Sequence, residues 1–241
     1  MPSLYRFKPL RNEAEIDRGA RPFYDKLQMT KQNNQELSTL IFDLPNKHGA
    51  PVPMKWMIVL HGQGDQKESY KEFARELNIT GVRFLLVDAP IKTAYGNWWY
   101  DPDPSQQEAD VLLASKRIAK LVEELVKREN LSYDDLILFG FSAGGRIALA
   151  ASMMLSKKLA AVVALSPRFV IPEELLKNPS QQTPYFITHG LYDEVIPHQQ
   201  TLEASKCLAE KENVVFKSYP MGHEICLEEV VDLRDWLNSI L

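Results

Sequence analysis

The stretch LILFGFSAGGRIAL, residues 136–149, joins an apolar run to a helical pattern through a turn rich in glycine. Its first residues are apolar throughout, as in a strand that helices cover on both faces of a parallel sheet. From Gly144 onward the pattern is that of a largely apolar helix. Between strand and helix, Ser142 stands among glycines that allow the backbone to turn sharply. The turn serves packing alone, or it holds that hydroxyl where it can react.

Outward from this stretch, short apolar runs and helical patterns alternate along most of the chain. Runs typical of strands occupy residues 38–44, 56–60, 82–87, 136–140, 160–165, 185–188 and 214–219, and helical patterns occupy 69–78, 105–129, 144–155, 198–211 and 223–240. This alternation predicts an α/β fold with a mostly parallel central sheet and helices on both faces. We expect residues 36–241 to form a single domain. Residues 1–35 are expected to form an N-terminal extension or an edge hairpin.

The start of the longest helix can be predicted from its capping residues. Ser105 is a candidate N-cap, and Glu108 lies three residues further on, where a capping box places its acidic partner.

Composition and charge restrict the classes of function. The chain has 241 residues, 45% of them hydrophobic, and a net charge of −4, without a dense block of Lys and Arg. It is therefore large enough to bury a full core, and nucleic acid is not expected as a partner. No apolar run approaches the roughly 20 residues of a membrane span, and the first residues contain no apolar signal region. Two cysteines suit a reducing compartment, so we expect a cytoplasmic protein.

The turn at Ser142 matches a pattern used by nucleophilic serines. In G-x-S-x-G, between a strand and a helix, the serine hydroxyl is exposed above the sheet. Side chains at Gly140 and Gly144 are expected to collide with neighbouring backbone, and the N-terminus of the next helix favours developing negative charge. The alternative is a glycine turn that only closes a strand–helix unit, with the serine capping the helix.

A serine nucleophile needs a general base, and histidine suits that role near neutral pH. In the order serine, acid, histidine that accompanies this turn, His223 is the candidate base because it lies in a loop after the last strand. Asp193 is the candidate acid because it follows the strand at 185–188, and the adjacent Glu194 is its rival. A serine, an aspartate or a histidine in such a position, taken alone, is more often structural than catalytic. Together they are expected at the carboxyl edge of the sheet, where ligand sites lie.

Two backbone amides are candidates for the oxyanion hole, since attack on a carbonyl creates a negative oxygen that N–H groups must meet. One donor is expected from Ala143, the residue after the serine. The other is expected from Gln63 in VLHGQGD (59–65), where Gly62 and Gly64 allow a close approach. The alternative for this loop is an ordinary turn.

The chain resembles the phospholipase/carboxylesterase family of α/β-hydrolases, which includes the acyl-protein thioesterases. The resemblance rests on HGQGD, GFSAGG, HGLYDEVIP and GHEI, in this order between residues 54 and 241. It implies Ser142 as nucleophile, Asp193 and His223 as its partners, and the amides of Gln63 and Ala143 as the oxyanion hole. It implies no metal and no cofactor.

The family places an aromatic segment beside its acyl pocket, and NWWYD (97–101) is similar to it. Trp98, Trp99 and Tyr100 are therefore expected to line a substrate pocket, with packing under a long loop as the alternative. The segment between Ser166 and Tyr185 is short, which predicts little or no lid and an open site.

The expected reaction is hydrolysis of short- to medium-chain acyl esters through an acyl-enzyme. The substrates are expected to be small molecules, and thioesters are a further class. Hydrolysis of lysophospholipids, peptides or lactones by the same residues is an alternative. A non-catalytic binding module that keeps the fold is another. A zinc site at His223 and Cys226 is not expected, because structural zinc needs four ligands.

Overall fold

The computed structural model describes residues 6–7, 37–44, 55–101, 103–169, 182–210 and 212–241. Its strands are β1 (Arg6–Phe7), β2 (Thr39–Phe42), β3 (Lys55–Leu60), β4 (Val82–Val87), β5 (Ile91–Thr93), β6 (Gly96–Trp98), β7 (Leu136–Phe141), β8 (Ala161–Leu165), β9 (Pro184–Gly190), β10 (Asn213–Tyr219) and β11 (Ile225–Cys226). Its α-helices are α1 (Tyr70–Leu77), α2 (Pro104–Glu129), α3 (Ala143–Met154), α4 (His198–Ala209) and α5 (Leu227–Ile240).

The centre of the molecule is a seven-stranded sheet of order β10-β9-β8-β7-β3-β4-β2. Neighbouring strands run parallel except β2, which pairs antiparallel with β4 at one edge. The predicted mostly parallel sheet is confirmed. The carboxyl ends of six parallel strands therefore meet at one edge, and the loops that follow them can form a common site.

Helices cover both faces of the sheet, as predicted. Ile118 of α2 and Ile147 of α3 lie in the core on one face. Phe73 of α1 and Leu233 of α5 lie in the core on the other face. Because both faces are covered, every residue of β7 and β8 is buried, and this explains why these strands are apolar at every position.

The predicted capping box at the start of α2 is wrong. The N-cap is Asp103, whose carboxylate accepts a hydrogen bond of 2.9 Å from the Ser105 amide. Pro104 occupies the first helical position, where its fixed φ and missing N–H are tolerated. Glu108 instead accepts a hydrogen bond of 2.5 Å from Nη2 of Arg146, which connects α2 to α3.

Three further predictions differ from the structure or lie outside the described residues, and one element was missed. The last helix begins at Leu227 rather than at residue 223, and the hairpin of β5 and β6 was not expected. Of residues 1–35 the structure describes only β1, which pairs antiparallel with β11. Residues 170–181, on which the predicted absence of a lid depends, lie outside the described residues. Among the residues described, no helix combines the length and the apolarity that crossing a membrane requires.

Candidate active site

The turn between β7 and α3 is strained. Ser142 has φ 53° and ψ −116°, a conformation that residues with a side chain rarely adopt. A Cβ added at Gly140 would lie 2.2 Å from the Gly144 carbonyl, and one added at Gly144 would lie 2.3 Å from the carbonyl oxygen of Leu60. The predicted collisions are therefore confirmed. Strain of this kind persists where the surrounding structure enforces it, and it concentrates at functional sites.

A chain of hydrogen bonds starts at the Ser142 hydroxyl. Its Oγ lies 2.8 Å from Nε2 of His223, and Nδ1 of the same ring lies 2.7 Å from Oδ2 of Asp193. The side chains of His223 and Asp193 are 4% and 0% exposed. Because an ionised carboxylate can only accept a hydrogen bond, Nδ1 of His223 carries the hydrogen and donates it to Asp193. Nε2 then has a free lone pair, which faces the Ser142 hydroxyl. This is the protonation state that a general base needs.

Asp193 is held ionised by its surroundings. Burial raises the pKa of this carboxyl, but hydrogen bonds from His189 and His223 outweigh burial and bring the pKa well below its ordinary value. The amides of Val195 and Ile196 donate to Oδ1 at 2.9 and 2.8 Å.

Glu194, the rival of Asp193 in the sequence, is exposed. The structure thus brings Asp193, and not Glu194, to His223.

Two loops are tied together to bring Asp193 and His223 into contact. The amide of Leu191 donates to the Tyr219 carbonyl at 2.8 Å, and the amide of Tyr192 donates to the Met221 carbonyl at 3.0 Å. A Cβ added at Gly190 would lie 2.3 Å from the carbonyl oxygen of Gly222, so only glycine allows this approach. Both ring nitrogens of His223 are engaged by Asp193 and Ser142.

The loop after β3 lies against the serine turn. A Cβ added at Gly62 would lie 3.7 Å from Cβ of Ser142. The Gln63 side chain fixes the loop, since its Nε2 donates to the Tyr100 carbonyl at 2.6 Å and its Oε1 accepts from the Trp99 amide at 3.0 Å. Ala143 is the first residue of α3, where backbone N–H groups have no acceptor within the helix. Ala143 follows the serine directly, and Gln63 follows Gly62 in the loop that lies against the serine turn. Their role as oxyanion donors stays a prediction.

His61 is a buried residue of this loop, and its structural role was not predicted from the sequence. Its Nδ1 lies 2.6 Å from the Gly62 carbonyl and donates to it, while its Nε2 accepts from the Ala89 amide at 3.0 Å. Burial lowers the pKa of His61, so the ring is held neutral. Its position at the end of a strand, directly before a glycine, was the only sign of this role in the sequence.

The hairpin of β5 and β6 supports the same loop. The amide of Gly64 donates to the Asn97 carbonyl at 3.0 Å, and the Asn97 amide donates to the Asp65 carbonyl at 2.9 Å. Gly96 has φ +106°, and a Cβ added there would lie 2.0 Å from the carbonyl oxygen of Gly64. This contact needs glycine on both conformational and steric grounds.

The aromatic segment at 98–100 is buried. Trp98, Trp99 and Tyr100 are 2%, 1% and 4% exposed. Trp99 donates from Nε1 to the His61 carbonyl at 2.7 Å, and the guanidinium of Arg146 lies 5.6 Å from the centre of the Tyr100 ring. These contacts favour the packing interpretation, and a pocket wall formed by the three aromatic residues stays a prediction.

Comparisons with known proteins agree with this architecture. A family model described as Phospholipase/Carboxylesterase matches residues 49–241. The acyl-protein thioesterase 1 of Neurospora crassa is 29% identical over 211 residues, covering 77% of this chain and 86% of the relative.

Two solved structures share the fold at lower sequence identity. The crystal structure of esterase PE8 superimposes with a TM-score of 0.75 at 24% identity, covering 86% of this chain and all of that one. The carboxylesterase of Bacillus cereus superimposes with a TM-score of 0.69 at 17% identity, covering 87% and 97% of the two chains.

Proposed function

This chain belongs to the phospholipase/carboxylesterase family, and we propose that it hydrolyses short- to medium-chain acyl esters through Ser142, His223 and Asp193. It is a serine hydrolase of the carboxylesterase/thioesterase type. The observation that carries the proposal is the continuous chain of hydrogen bonds from the Ser142 hydroxyl through His223 to Asp193. The strained turn at Ser142 supports it, because a serine that only caps a helix needs no such backbone.

In the first half of the reaction, Nε2 of His223 takes the proton of the Ser142 hydroxyl as its Oγ attacks the acyl carbonyl carbon. Asp193 stabilises the imidazolium that forms. The carbonyl oxygen becomes negative and is met by the amides of Gln63 and Ala143. The C–O bond to the alcohol then breaks, and the alcohol leaves with the proton from His223. The acyl group remains on Ser142 as an ester.

In the second half, a water molecule gives a proton to Nε2 of His223 and attacks the acyl-enzyme carbonyl. The same two amides meet the oxyanion. The bond to Oγ breaks, Ser142 recovers its proton from His223, and the carboxylic acid is released.

Thioesters are the second candidate substrate class. The acyl-protein thioesterase 1 of Neurospora crassa shares 29% identity over 77% of this chain. A thiol is a better leaving group than an alcohol, so the same residues can cleave the C–S bond by the same two steps.

We also propose that the protein acts in the cytoplasm. Cys207 is exposed and Cys226 is partly exposed, and both are free thiols, which a reducing compartment maintains. A fluorescent fusion that accumulates in a secretory compartment would contradict this assignment.

The first experiment is hydrolysis of p-nitrophenyl esters over a series of acyl lengths, with Ser142→Ala beside the unchanged protein. We expect turnover with an optimum at short to medium chains, and loss of kcat by about 10⁵–10⁶-fold in the variant. Equal rates would place the chemistry at another residue. No turnover at any length would favour a narrow specificity for a lysophospholipid, peptide or lactone, or a binding module.

A further inference from the structure

His189 is a second histidine at the candidate site. It lies at the carboxyl end of β9, one residue before Gly190, and its side chain is fully buried. Neither the order of residues along the chain nor the proton transfers described above requires it. Buried histidine is costly unless its ring nitrogens are satisfied, so its contacts indicate what it contributes.

Two oxygen atoms face the same ring nitrogen of His189. Its Nε2 lies 2.9 Å from the Ile196 carbonyl and 3.1 Å from Oδ2 of Asp193. A carbonyl only accepts, and so does an ionised carboxylate, so Nε2 must carry a hydrogen that it donates to both. One N–H thereby joins the carboxylate to the loop that folds around it.

The other ring nitrogen has no such partner. Within the described part of the chain, Nδ1 of His189 is buried without a hydrogen bond. A hydrogen there would make the ring a buried cation with an unsatisfied donor, which is costly. His189 is therefore a neutral imidazole with its hydrogen on Nε2. The unsatisfied Nδ1 is thus the energetic cost of placing the Nε2–H donor beside Asp193.

That donor completes the coordination of Asp193. Oδ1 accepts from the amides of Val195 and Ile196, and Oδ2 accepts from Nδ1 of His223 and Nε2 of His189. With two donors on each oxygen, the carboxylate cannot rotate about its χ2 angle without losing hydrogen bonds. Oδ2 is consequently fixed in line with His223, and its negative charge is divided between two imidazoles.

We propose that His189 is a positioning residue for ester hydrolysis, whose Nε2–H holds Oδ2 of Asp193 in line with His223 and shares the charge of that oxygen. The inference rests on the proposed function and adds a fourth side chain to it. His189 touches neither the serine nor the substrate, and it acts through Asp193.

The test compares two substitutions that differ in whether a donor remains. In His189→Gln the side-chain amide can place an N–H near the position of Nε2, whereas His189→Leu removes the donor. For the Leu variant we expect kcat for a p-nitrophenyl ester to fall by about 10-fold, with KM unchanged, as for loss of one hydrogen bond to a charged group. The Gln variant is expected to recover most of that loss.

The pH profile separates positioning from packing. Without the second donor, more negative charge on Oδ2 faces His223 and stabilises its imidazolium. The acid limb of kcat/KM is therefore expected at higher pH in the Leu variant, and proton NMR titration of His223 should move in the same direction. The other titratable groups nearby are His198, whose ring centre lies 5.9 Å away, Glu224 beside His223, and Glu229, which accepts from Thr188. All three are present in both variants.

His198→Gln is the matched control, because this ring lies against His189 and its Nε2 pairs with the Ser218 hydroxyl at 2.7 Å. It should leave kcat unchanged. The proposal is overturned if the Gln and Leu variants share the same kcat and the same His223 titration, whatever their melting temperatures.

If His189→Leu does not fold, the proposal can still be tested by a measurement on the unsubstituted protein. Nitrogen-15 NMR should report His189 as the neutral tautomer with its hydrogen on Nε2, and an imidazolium or the other tautomer at neutral pH overturns the proposal. The NMR titrations need no turnover. If the protein has no esterase activity, the proposed function is contradicted, but the NMR titrations still test the role of His189.

Discussion

At the scale of the residue, Ser142 and Asp193 are held in opposite ways. Ser142 is held by backbone strain that glycines on both sides make possible. Asp193 is held by four donors that converge on its two oxygens. Both arrangements reduce the motion needed when the proton transfers, and preorganisation of this kind is a principal source of catalysis.

Asp193→Asn tests the acid at this scale. The amide of Asn would keep an acceptor for the loop amides and turn an N–H toward His223, so the hydrogen of the imidazole would move to Nε2. That nitrogen could no longer accept the serine proton. We expect kcat to fall by about 10³–10⁴-fold, with KM little changed, in assays with a p-nitrophenyl ester.

Glu194→Gln is the control for this substitution, because Glu194 is the adjacent carboxylate and is exposed. Its kcat should equal that of the unchanged protein. A large loss in Glu194→Gln together with retention in Asp193→Asn would reverse the assignment of the acid.

At the scale of the element, the hairpin of β5 and β6 acts as a support for the loop at 62–65. The hairpin has only three residues in each strand and is anchored by the backbone of Asn97. It pairs with Gly64 and Asp65 of that loop, and none of its side chains takes part in the proposed proton transfers. Its proposed contribution is the position of the Gln63 amide.

Gly96→Ala tests this support. The added Cβ would lie 2.0 Å from the Gly64 carbonyl oxygen, so the loop must shift. Displacing one oxyanion donor is expected to reduce kcat by about 10²-fold. The measurement is kcat beside the urea unfolding midpoint of the same variant.

Gly81→Ala is the matched control for backbone strain. Gly81 also has a positive φ, +77°, but an added Cβ there would meet nothing within 4 Å. It should cost about 1 kcal/mol of stability and leave kcat unchanged. If Gly96→Ala, like Gly81→Ala, is less stable but keeps its kcat, the hairpin does not influence the site.

The same elements show what sequence can and cannot predict. Strands such as β7 were predicted because both faces are buried and every position is apolar. The hairpin was not, since its strands are short, Trp98 is their one buried residue, and Asn97 pairs them with a loop that is distant in sequence.

At the site, chain order located Ser142, Asp193 and His223. The contact of His189 depends on how residues 193–196 fold back over the end of β9, and no local pattern encodes that closure. The capping of α2 was mispredicted because two capping candidates, Asp103 and Ser105, stand two residues apart.

At the scale of the whole molecule, Glu229 couples stability to pH. It lies in the first turn of α5, fully buried, and accepts a hydrogen bond from the Thr188 hydroxyl of the central sheet. Burial raises the pKa of Glu229 to about 8. The folded protein therefore holds a proton that the unfolded chain releases near pH 4.5, so between these two values stability should fall as pH rises.

Glu229→Gln removes this dependence while keeping a carbonyl to accept from Thr188. The variant should match the unchanged protein below pH 4.5 and exceed it by a few kcal/mol above pH 8. Melting temperatures from pH 4 to pH 9 measure the difference. Glu228→Gln, at an exposed neighbouring position, is the control and should show no such trend. If the melting temperatures of Glu229→Gln and of the unchanged protein differ by the same amount at every pH, Glu229 is not a buried neutral carboxyl.

The wide spacing of the site along the chain has a consequence for biosynthesis. Ser142 and His223 are separated by 81 positions, and they meet only because both β9 and β10 have joined the sheet beyond β8. At ordinary translation speeds the serine is made roughly 4 to 16 s before its histidine. During that interval a nascent chain exposes a serine without a base to activate it. Hydrolysis through Ser142, as proposed, therefore cannot begin before the chain has been synthesised as far as His223.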